Sequence, residues 1–254
     1  MKKLLPLLLT ASAMLAWKTS AADSVQTPKD VQTAKQLTIT QTHSAEVKYL
    51  LFLPKGYEAG GARKWPLMLF LHGAGERGDN IWKVATHGPP KYVATHPDFP
   101  FIVVSPQCSE NQIWSDDLLL GLLDQAVKEY AVDTTRVYLT GLSMGGYGTW
   151  SLGLKHPQRF AAIVPICGGG SLIDVLLADN KQQALRTLGV WAFHGGKDPV
   201  VPTDESQRMV EMLKRVGVKD VHLTIYPEAQ HDSWTETYNN PELYTWLLKH
   251  QRGR

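Results

Sequence analysis

Apolar residues along the chain form short continuous runs that alternate with longer amphipathic segments. Residues 65–71 are apolar throughout and residues 101–106 are apolar except for Ser105, which is typical of strands covered on both faces of a sheet. Residues 116–130 instead place leucines three and four positions apart, which predicts a helix with one buried face. The same patterns predict further strands at 36–40, 47–53, 136–140, 160–166, 189–193 and 221–226, and helices at 149–154, 174–188, 206–216 and 241–250.

The order of these elements indicates a fold class. Two leading strands, which the turn residues between them favour as a hairpin, precede a regular alternation of strands and helices. Such alternation predicts a mostly parallel sheet of about eight strands, with the first pair antiparallel and helices on both faces. No repeat, low-complexity block or linker divides residues 35–254, so we expect one domain there. Residues 23–34 are polar without periodicity and predict a leader outside that domain.

The first 22 residues have the composition of an export signal. Lys2 and Lys3 precede an apolar stretch at 4–16, and small residues follow at 19–22. The apolar stretch is too short to span a bilayer comfortably, so we expect no stable membrane insertion, with a retained N-terminal anchor as the alternative. These features predict a bacterial periplasmic or secreted protein.

Composition and net charge limit the kinds of binding partner that can be expected. The chain is 43% hydrophobic and 20% charged, which is ordinary for a soluble globular protein. Cleavage after Ala21 would remove three lysines and change the formal charge from +2 to −1. A nearly neutral protein gives no reason to expect nucleic acid or an anionic membrane as a partner. The sequence indicates no particular oligomeric state.

Cys108 and Cys167 are the only cysteines of the chain. Each follows a different predicted strand, and we expect those strands to lie several positions apart in the sheet. Strands are spaced by about 4.8 Å, so this separation exceeds what a disulfide can bridge. The prediction is therefore two buried free thiols, although an oxidising compartment would permit a disulfide.

The stretch 137–148 contains the strongest chemical signal. An apolar strand breaks at Gly141, Ser143 follows, and Gly145 precedes a segment that can be helical. This G-x-S-x-G pattern, with a strand before and a helix after, holds a serine on a sharp turn where larger neighbours would collide. We predict Ser143 as a nucleophile. The alternatives are a glycine-rich turn that packs a helix on a sheet, and a phosphate loop, which lacks its Gly-Lys-Ser/Thr here.

A serine nucleophile needs a base, and the ordinary pKa of histidine suits that task. His231 follows the strand predicted at 221–226, at the sheet edge where ligands bind in parallel sheets. His72 and His194 compete for the role. Both directly precede glycine turns at strand ends, where an imidazole usually bonds to local backbone. We therefore predict His231 as the base.

The base in turn needs a carboxylate that fixes its tautomer. Asp198 follows the strand predicted at 189–193 in a loop defined by glycines and Pro199. Asp198 also lies between Ser143 and His231 in the chain. A serine on a strand-turn-helix in a mostly parallel sheet requires this order of nucleophile, acid and histidine. Asp204 and Glu228 are weaker candidates. We predict Asp198 as the acid.

Two further features complete the predicted site. The backbone N–H of Met144 and one from the turn at 72–75, best supplied by Ala74, would form an oxyanion hole. Trp114 and Trp234 follow strand ends and would wall a substrate pocket, although core packing explains a tryptophan equally well. This chemistry needs neither a metal nor an organic cofactor.

Residues 71–79, 141–148, 194–198 and 231–234 resemble, in this order, the motifs of compact bacterial α/β-hydrolase esterases. That group is related to feruloyl and acetyl-xylan esterases, to esterase-type polyhydroxybutyrate depolymerases, and to proteins labelled phospholipase/carboxylesterase or predicted peptidase. The resemblance implies the α/β-hydrolase fold. It also implies the same nucleophile, acid and base that the residues themselves predict.

The expected function is therefore an exported serine carboxylesterase that acts on small-molecule or polymer-attached esters. Feruloyl or acetyl esters of plant polysaccharide are the first expectation for the substrate. The alternatives are a serine peptidase of the prolyl-oligopeptidase-like type, and an esterase acting on polyhydroxyalkanoate or short-chain lipid. A non-catalytic binding relative would show a damaged triad, whereas Ser143, Asp198 and His231 are all present.

Overall fold

The computed structural model describes residues 46–177 and 181–253. Within them a seven-stranded sheet has the order β1-β3-β2-β4-β5-β6-β7. Its strands are β1 (Tyr49–Phe52), β2 (Trp65–Leu71), β3 (Ile102–Pro106), β4 (Val132–Leu142), β5 (Ala162–Ile166), β6 (Gly189–Gly195) and β7 (Val221–Tyr226). The predicted signal segment, leader and strand 36–40 lie outside the described residues.

Strand directions agree with the predicted mixed sheet. β1 pairs antiparallel with β3, and every other pairing among the seven strands is parallel. Because the eighth predicted strand is not among the described residues, its hairpin with β1 stays a prediction. Parallel strands end at one edge of the sheet, so the loops after β2 to β7 meet there.

Alternation along the strands assigns side chains to two cores. On β2, Leu67, Leu69 and Leu71 face one side, and Met68 and Phe70 face the other; all five are essentially inaccessible to solvent. The period of two in strand side-chain direction is the cause. Since both faces are covered by helices, the apolar side chains that the sequence places in continuous runs are buried throughout.

Eight α-helices cover the sheet in the described part of the chain: α1 (Gly88–Tyr92), α2 (Asp116–Glu129), α3 (Met144–Lys155), α4 (Leu172–Leu176), α5 (Gln182–Thr187), α6 (Asp204–Arg215), α7 (Trp234–Asn239) and α8 (Pro241–Lys249). Buried residues of α2 to α6 pack on the face of Leu67, whereas those of α7 and α8 pack on the face of Met68. Three short 3₁₀ segments span Ala74–Glu76, Ile81–Thr86 and Pro157–Arg159.

One predicted helix was wrong. Residues 174–188 do not form a continuous helix: α4 ends at Leu176 and α5 begins only at Gln182. The backbone leaves the helical conformation at Leu177, with φ −92° and ψ 17°, and is still outside it at Lys181, with φ −121° and ψ 6°. Buried Val175 and Leu185 each attach a separate short helix to the same core.

The two cysteines are free and buried, as predicted. Cys108 follows β3 and Cys167 follows β5, and two further strands lie between those strands in the sheet. Among the helices that the structure describes, none has the length and apolar character needed to cross a bilayer.

Candidate active site

The turn between β4 and α3 holds Ser143 in a strained conformation. Its backbone has φ 52° and ψ −117°, a region that residues with a side chain rarely adopt. The flanking glycines make the turn possible, because a Cβ on Gly141 would come within 2.4 Å of the Gly145 carbonyl oxygen. A Cβ on Gly145 would come within 1.9 Å of the Leu71 carbonyl oxygen. The glycine pattern is therefore a steric requirement of this packing.

The structure brings the three predicted side chains together. His231 Nε2 lies 3.0 Å from the hydroxyl oxygen of Ser143, and His231 Nδ1 lies 2.8 Å from Oδ2 of Asp198. Ser143 follows β4, Asp198 follows β6, and His231 follows β7, so the common carboxyl edge of the sheet assembles them. In this arrangement Nδ1–H donates to the carboxylate, which leaves Nε2 free to accept the serine proton.

The carboxylate of Asp198 is buried and accepts hydrogen bonds from several protein groups. Its Oδ1 accepts hydrogen bonds from the backbone N–H groups of Val200 and Val201, at 2.8 and 3.0 Å. Burial acts to raise the pKa of Asp198, but the hydrogen bonds from His231 and from these two amides outweigh it, and the pKa is lowered. Asp198 is therefore ionised near neutral pH and can stabilise an imidazolium.

One predicted oxyanion donor, Met144, adjoins Ser143 in the chain, and the other, Ala74, belongs to the turn after β2. Met144 is the first residue of α3, so its N–H has no partner within the helix. Gly73 lies against Ser143, since a Cβ on Gly73 would be 3.6 Å from that of the serine. The N–H of Gly73 donates to Glu76 Oε2 at 2.9 Å, which leaves the next amide in the turn, that of Ala74, as the candidate donor.

His72 lies behind this turn and holds it in place. The side chain is buried; Nδ1 donates to the Gly73 carbonyl at 2.6 Å, and Nε2 accepts from the Cys108 N–H at 2.9 Å. These partners fix a neutral tautomer, and burial lowers the pKa of His72. The local backbone bonding expected of this histidine is present, and it ties the loop after β2 to the loop after β3.

His194 lies beneath the acid loop. Its fully buried ring donates from Nε2 to the Val201 carbonyl at 3.0 Å, and the same nitrogen lies 3.4 Å from Asp198 Oδ2. Nδ1 lies 2.7 Å from the hydroxyl of Ser206, which is also 3.1 Å from the Gly168 carbonyl. Burial lowers the pKa of His194, so the ring is neutral and holds the loop that carries Asp198 through its hydrogen bond to the Val201 carbonyl.

The weaker acid candidates lie elsewhere. Asp204 opens α6, where a carboxylate favours the helix N-terminus. Glu228 pairs with Lys197, and its side chain is 83% exposed.

A cavity of about 420 Å³ opens beside Ser143. Besides Ser143 its lining consists of two residues of the loop after β3, Ile113 and Trp114, and two residues of α3, Met144 and Tyr147. The Trp114 indole donates to the His72 carbonyl at 3.2 Å and packs edge-on against the His72 ring, so this wall is held firmly. The structure thus places Trp114 where a pocket wall was predicted.

Trp234 has a different position. Its ring packs edge-on against His231, with centroids 5.3 Å apart, and against His87, with centroids 5.4 Å apart. It also lines a separate groove of about 160 Å³ between α1 and α7. Contact of Trp234 with a substrate stays a prediction, whereas its packing against the imidazole is a structural fact.

Sequence reasoning missed the roles of Glu76 and Tyr147. The carboxylate of Glu76 stands three residues after Gly73, a spacing that is typical of a side chain that accepts from a turn amide. Tyr147 is four residues after Ser143, hence one helical turn along α3 and on the same side. Both signals were present in the motifs at 71–79 and 141–148.

The strained serine, its histidine and carboxylate partners, and the strand order together define an α/β-hydrolase. A family model described as phospholipase/carboxylesterase matches residues 99–240, more than half of the chain. The chain belongs to this family.

Individual relatives agree with this family. The chain is 28% identical over 196 residues to a bifunctional acetylxylan esterase/xylanase of Neocallimastix patriciarum, and 24% identical over 197 residues to a probable feruloyl esterase C of Aspergillus niger. These matches cover 71% and 75% of this chain, and 26% and 69% of the relatives. The crystal structure of a thermostable esterase matches with 35% identity and a TM-score of 0.68 over 82% of this chain. The chain spans 60% of that esterase.

Proposed function

We propose that this protein is an exported serine carboxylesterase whose nucleophile, base and acid are Ser143, His231 and Asp198. The observation that carries the proposal is the position of the His231 ring, which lies within hydrogen-bonding distance of Ser143 at one nitrogen and of Asp198 at the other. Family membership supports the same reaction class.

The geometry accounts for each step of ester hydrolysis. As the Ser143 oxygen attacks the ester carbonyl, His231 Nε2 takes the serine proton, and the Asp198 carboxylate stabilises the imidazolium. The amides of Met144 and Ala74 would donate to the oxyanion, and one such donor is worth about 10²–10³ in rate. His231 then returns the proton to the departing alcohol, and water cleaves the acyl-enzyme by the same steps.

The cavity favours an apolar, planar acyl group. Trp114 and Tyr147 supply aromatic surface, and Ile113 supplies an aliphatic rim that is 77% exposed. A phenolic acyl group such as feruloyl can pack on both rings, whereas an acetyl group leaves most of the cavity wet. We therefore place aromatic acyl esters of polysaccharide first and acetyl esters second, in keeping with the names of the relatives.

A panel of substrates tests the reaction class. Purified protein lacking residues 1–21 is incubated with p-nitrophenyl acetate, methyl ferulate, p-nitrophenyl octanoate and a peptide p-nitroanilide. The proposal expects hydrolysis of the esters and a loss of at least about 10⁴ in kcat for Ser143→Ala. Faster hydrolysis of the peptide amide than of every ester would favour a peptidase, and activity that survives Ser143→Ala would exclude this nucleophile.

A pair of tryptophan variants tests the acyl site. Trp114→Ala should raise KM for methyl ferulate more than for p-nitrophenyl acetate, because only the larger acyl group reaches the indole. Trp82→Ala is the control, since Trp82 is 71% exposed on the 3₁₀ segment Ile81–Thr86 and does not line the cavity. Equal effects of both variants on both esters would argue against this assignment.

A further inference from the structure

A thiol lies next to the proposed triad and takes no part in its chemistry. One ligand atom from each of Cys167, Asp198 and His231 lies within 4.8 Å of the other two. Thiolate sulfur, imidazole nitrogen and carboxylate oxygen are the donors that Zn²⁺ takes in proteins. Within the described ranges this is the one group of three such residues that meets this spacing.

The position of Cys167 is enforced by the backbone. The residue has φ 41°, its N–H donates to the Phe193 carbonyl at 2.9 Å, and its side chain is fully buried. Cys167 directly follows β5, between the strands that precede Ser143 and Asp198. The thiol is thus held in a buried position next to the His231–Asp198 pair.

A fourth polar atom lies at the same place. The hydroxyl of Ser233 is fully buried and has no hydrogen-bond partner, and the Ser233 N–H donates to the His231 carbonyl at 2.9 Å. Buried polar groups in native proteins are nearly always paired, so an unpaired hydroxyl two residues after His231 indicates a place for one more atom.

From this geometry we infer that Cys167, His231 and Asp198 form an inhibitory binding site for Zn²⁺ and similar thiophilic cations. The ion would bind Cys167 Sγ, His231 Nδ1 and Asp198 Oδ2, with Ser233 as a neighbouring oxygen donor. Donor atoms around tetrahedral zinc are roughly 3.3–3.7 Å apart, so ligand shifts of about 1 Å complete the site. Loss of activity in this state rests on the proposed function; binding of the ion does not.

The proton balance explains the inhibition. Zn²⁺ replaces the proton on His231 Nδ1 and the proton of the Cys167 thiol, and both protons leave to solvent. The Asp198 carboxylate then binds the ion instead of orienting the imidazole. The bound cation also lowers the basicity of His231 Nε2, the nitrogen that would accept the Ser143 proton. The thiol proton is released only to an ion with high affinity for sulfur.

A second histidine cluster provides a necessary comparison. Asp220 contacts His222 with one carboxylate oxygen and His250 with the other, the latter at 2.8 Å. This group lies at the amino end of β7, at the edge of the sheet opposite His231. Zinc bound there would not involve Cys167.

The test measures Zn²⁺ inhibition of p-nitrophenyl acetate hydrolysis in four proteins. Wild type and the control variants Cys108→Ser and His222→Asn should be inhibited alike and recover on addition of EDTA. Cys167→Ser should require at least about a hundredfold more Zn²⁺, because even the loss of an outer-shell partner costs about 10–100-fold in metal affinity. Each variant is compared with its own metal-free rate.

A spectroscopic arm separates this inference from the proposed reaction. Co²⁺ added to Ser143→Ala should produce the near-ultraviolet charge-transfer band of a cobalt thiolate, because Ser143 is not a ligand. The band should be absent in the double variant that also carries Cys167→Ser. Equal inhibition of wild type and Cys167→Ser, or Co²⁺ binding without a thiolate band, would overturn the site even if the esterase activity is confirmed.

Discussion

At the scale of single residues, one imidazole connects the whole candidate site. His231 contacts Ser143 and Asp198 through its two nitrogens, and Trp234 packs against its ring. Asp198 in turn is held by two backbone amides and lies close to His194. The acid is thus a positioned group with little freedom, and changes to it have defined consequences.

Replacing the acid with its amide should lower activity without unfolding the protein. In Asp198→Asn the amide can still accept from the Val200 and Val201 N–H groups, but it no longer stabilises the imidazolium or enforces the Nδ1–H tautomer. We expect kcat/KM to fall by about 10³–10⁴. Asp204→Asn, at the start of α6, is the control and should retain activity. Similar losses in both variants would contradict the assignment of Asp198.

The same carboxylate should contribute to acid sensitivity. Its pKa is lower in the folded protein than in the unfolded chain, so its stabilisation is complete above the ordinary carboxyl pKa and is lost as the pH falls below about 4. Urea unfolding of wild type and Asp198→Asn between pH 6 and pH 3 measures this effect. The wild type should lose more free energy of unfolding on acidification, and parallel curves would show that Asp198 does not contribute.

At the scale of elements, the strand-turn-helix from β4 to α3 combines a strict steric demand with a functional one. A predicted helix at 149–154 begins in fact at Met144, directly after Ser143. The glycines that lower helix propensity over 145–148 hid this first turn from the pattern. These glycines lie close to backbone atoms of other segments, and the sequence pattern does not reveal such contacts. The close packing explains why a helix begins here although glycine has a low helix propensity.

A pair of glycine variants separates these two demands. Gly145→Ala would place its Cβ 1.9 Å from the Leu71 carbonyl oxygen, so the variant should fold poorly or lose activity. Gly121→Ala lies within α2, where an added Cβ meets nothing within 4 Å, and should stabilise the protein by about 1 kcal/mol. Chemical denaturation with an activity assay measures both. Normal folding and activity of Gly145→Ala would refute the close approach of α3 to β2.

At the scale of the whole molecule, the sheet brings the loops after β3, β5, β6 and β7 to one edge. The same topology keeps the cysteines apart, since two strands separate β3 from β5. Export through the predicted signal would therefore expose a protein with two unpaired but buried thiols to an oxidising compartment.

This leads to a prediction for the protein recovered from a bacterial host. The periplasmic or secreted fraction should contain a chain that begins near Ala22, as intact mass spectrometry would show. A thiol reagent should titrate two groups after denaturation and react slowly before it, because Cys108 and Cys167 are buried. An uncleaved chain in the cytoplasm would contradict export, and one disulfide in the mature chain would contradict the separation of the strands.

The sequence by itself determined the order of the described strands and most of the longer helices, and it selected Ser143, Asp198 and His231, the three side chains that meet at the candidate site. The apolar runs of the strands, the spacing of the glycines and the order of the site residues can all be read along the chain. Each of them is required by this sheet topology, so the sequence predicts them. The sequence wrongly predicted one continuous helix over residues 174–188. Two short helices form there instead, and each packs on the core through one residue, Val175 or Leu185.

Only the tertiary structure decided which residues that are far apart in the chain contact one another. It placed His72 and His194 as supports of the turn and of the acid loop, Trp114 at the cavity and Trp234 against the imidazole. It also placed Cys167 beside the acid and the base. Such contacts join segments far apart in the chain, and their distances arise from strand order and packing, which a linear pattern does not encode.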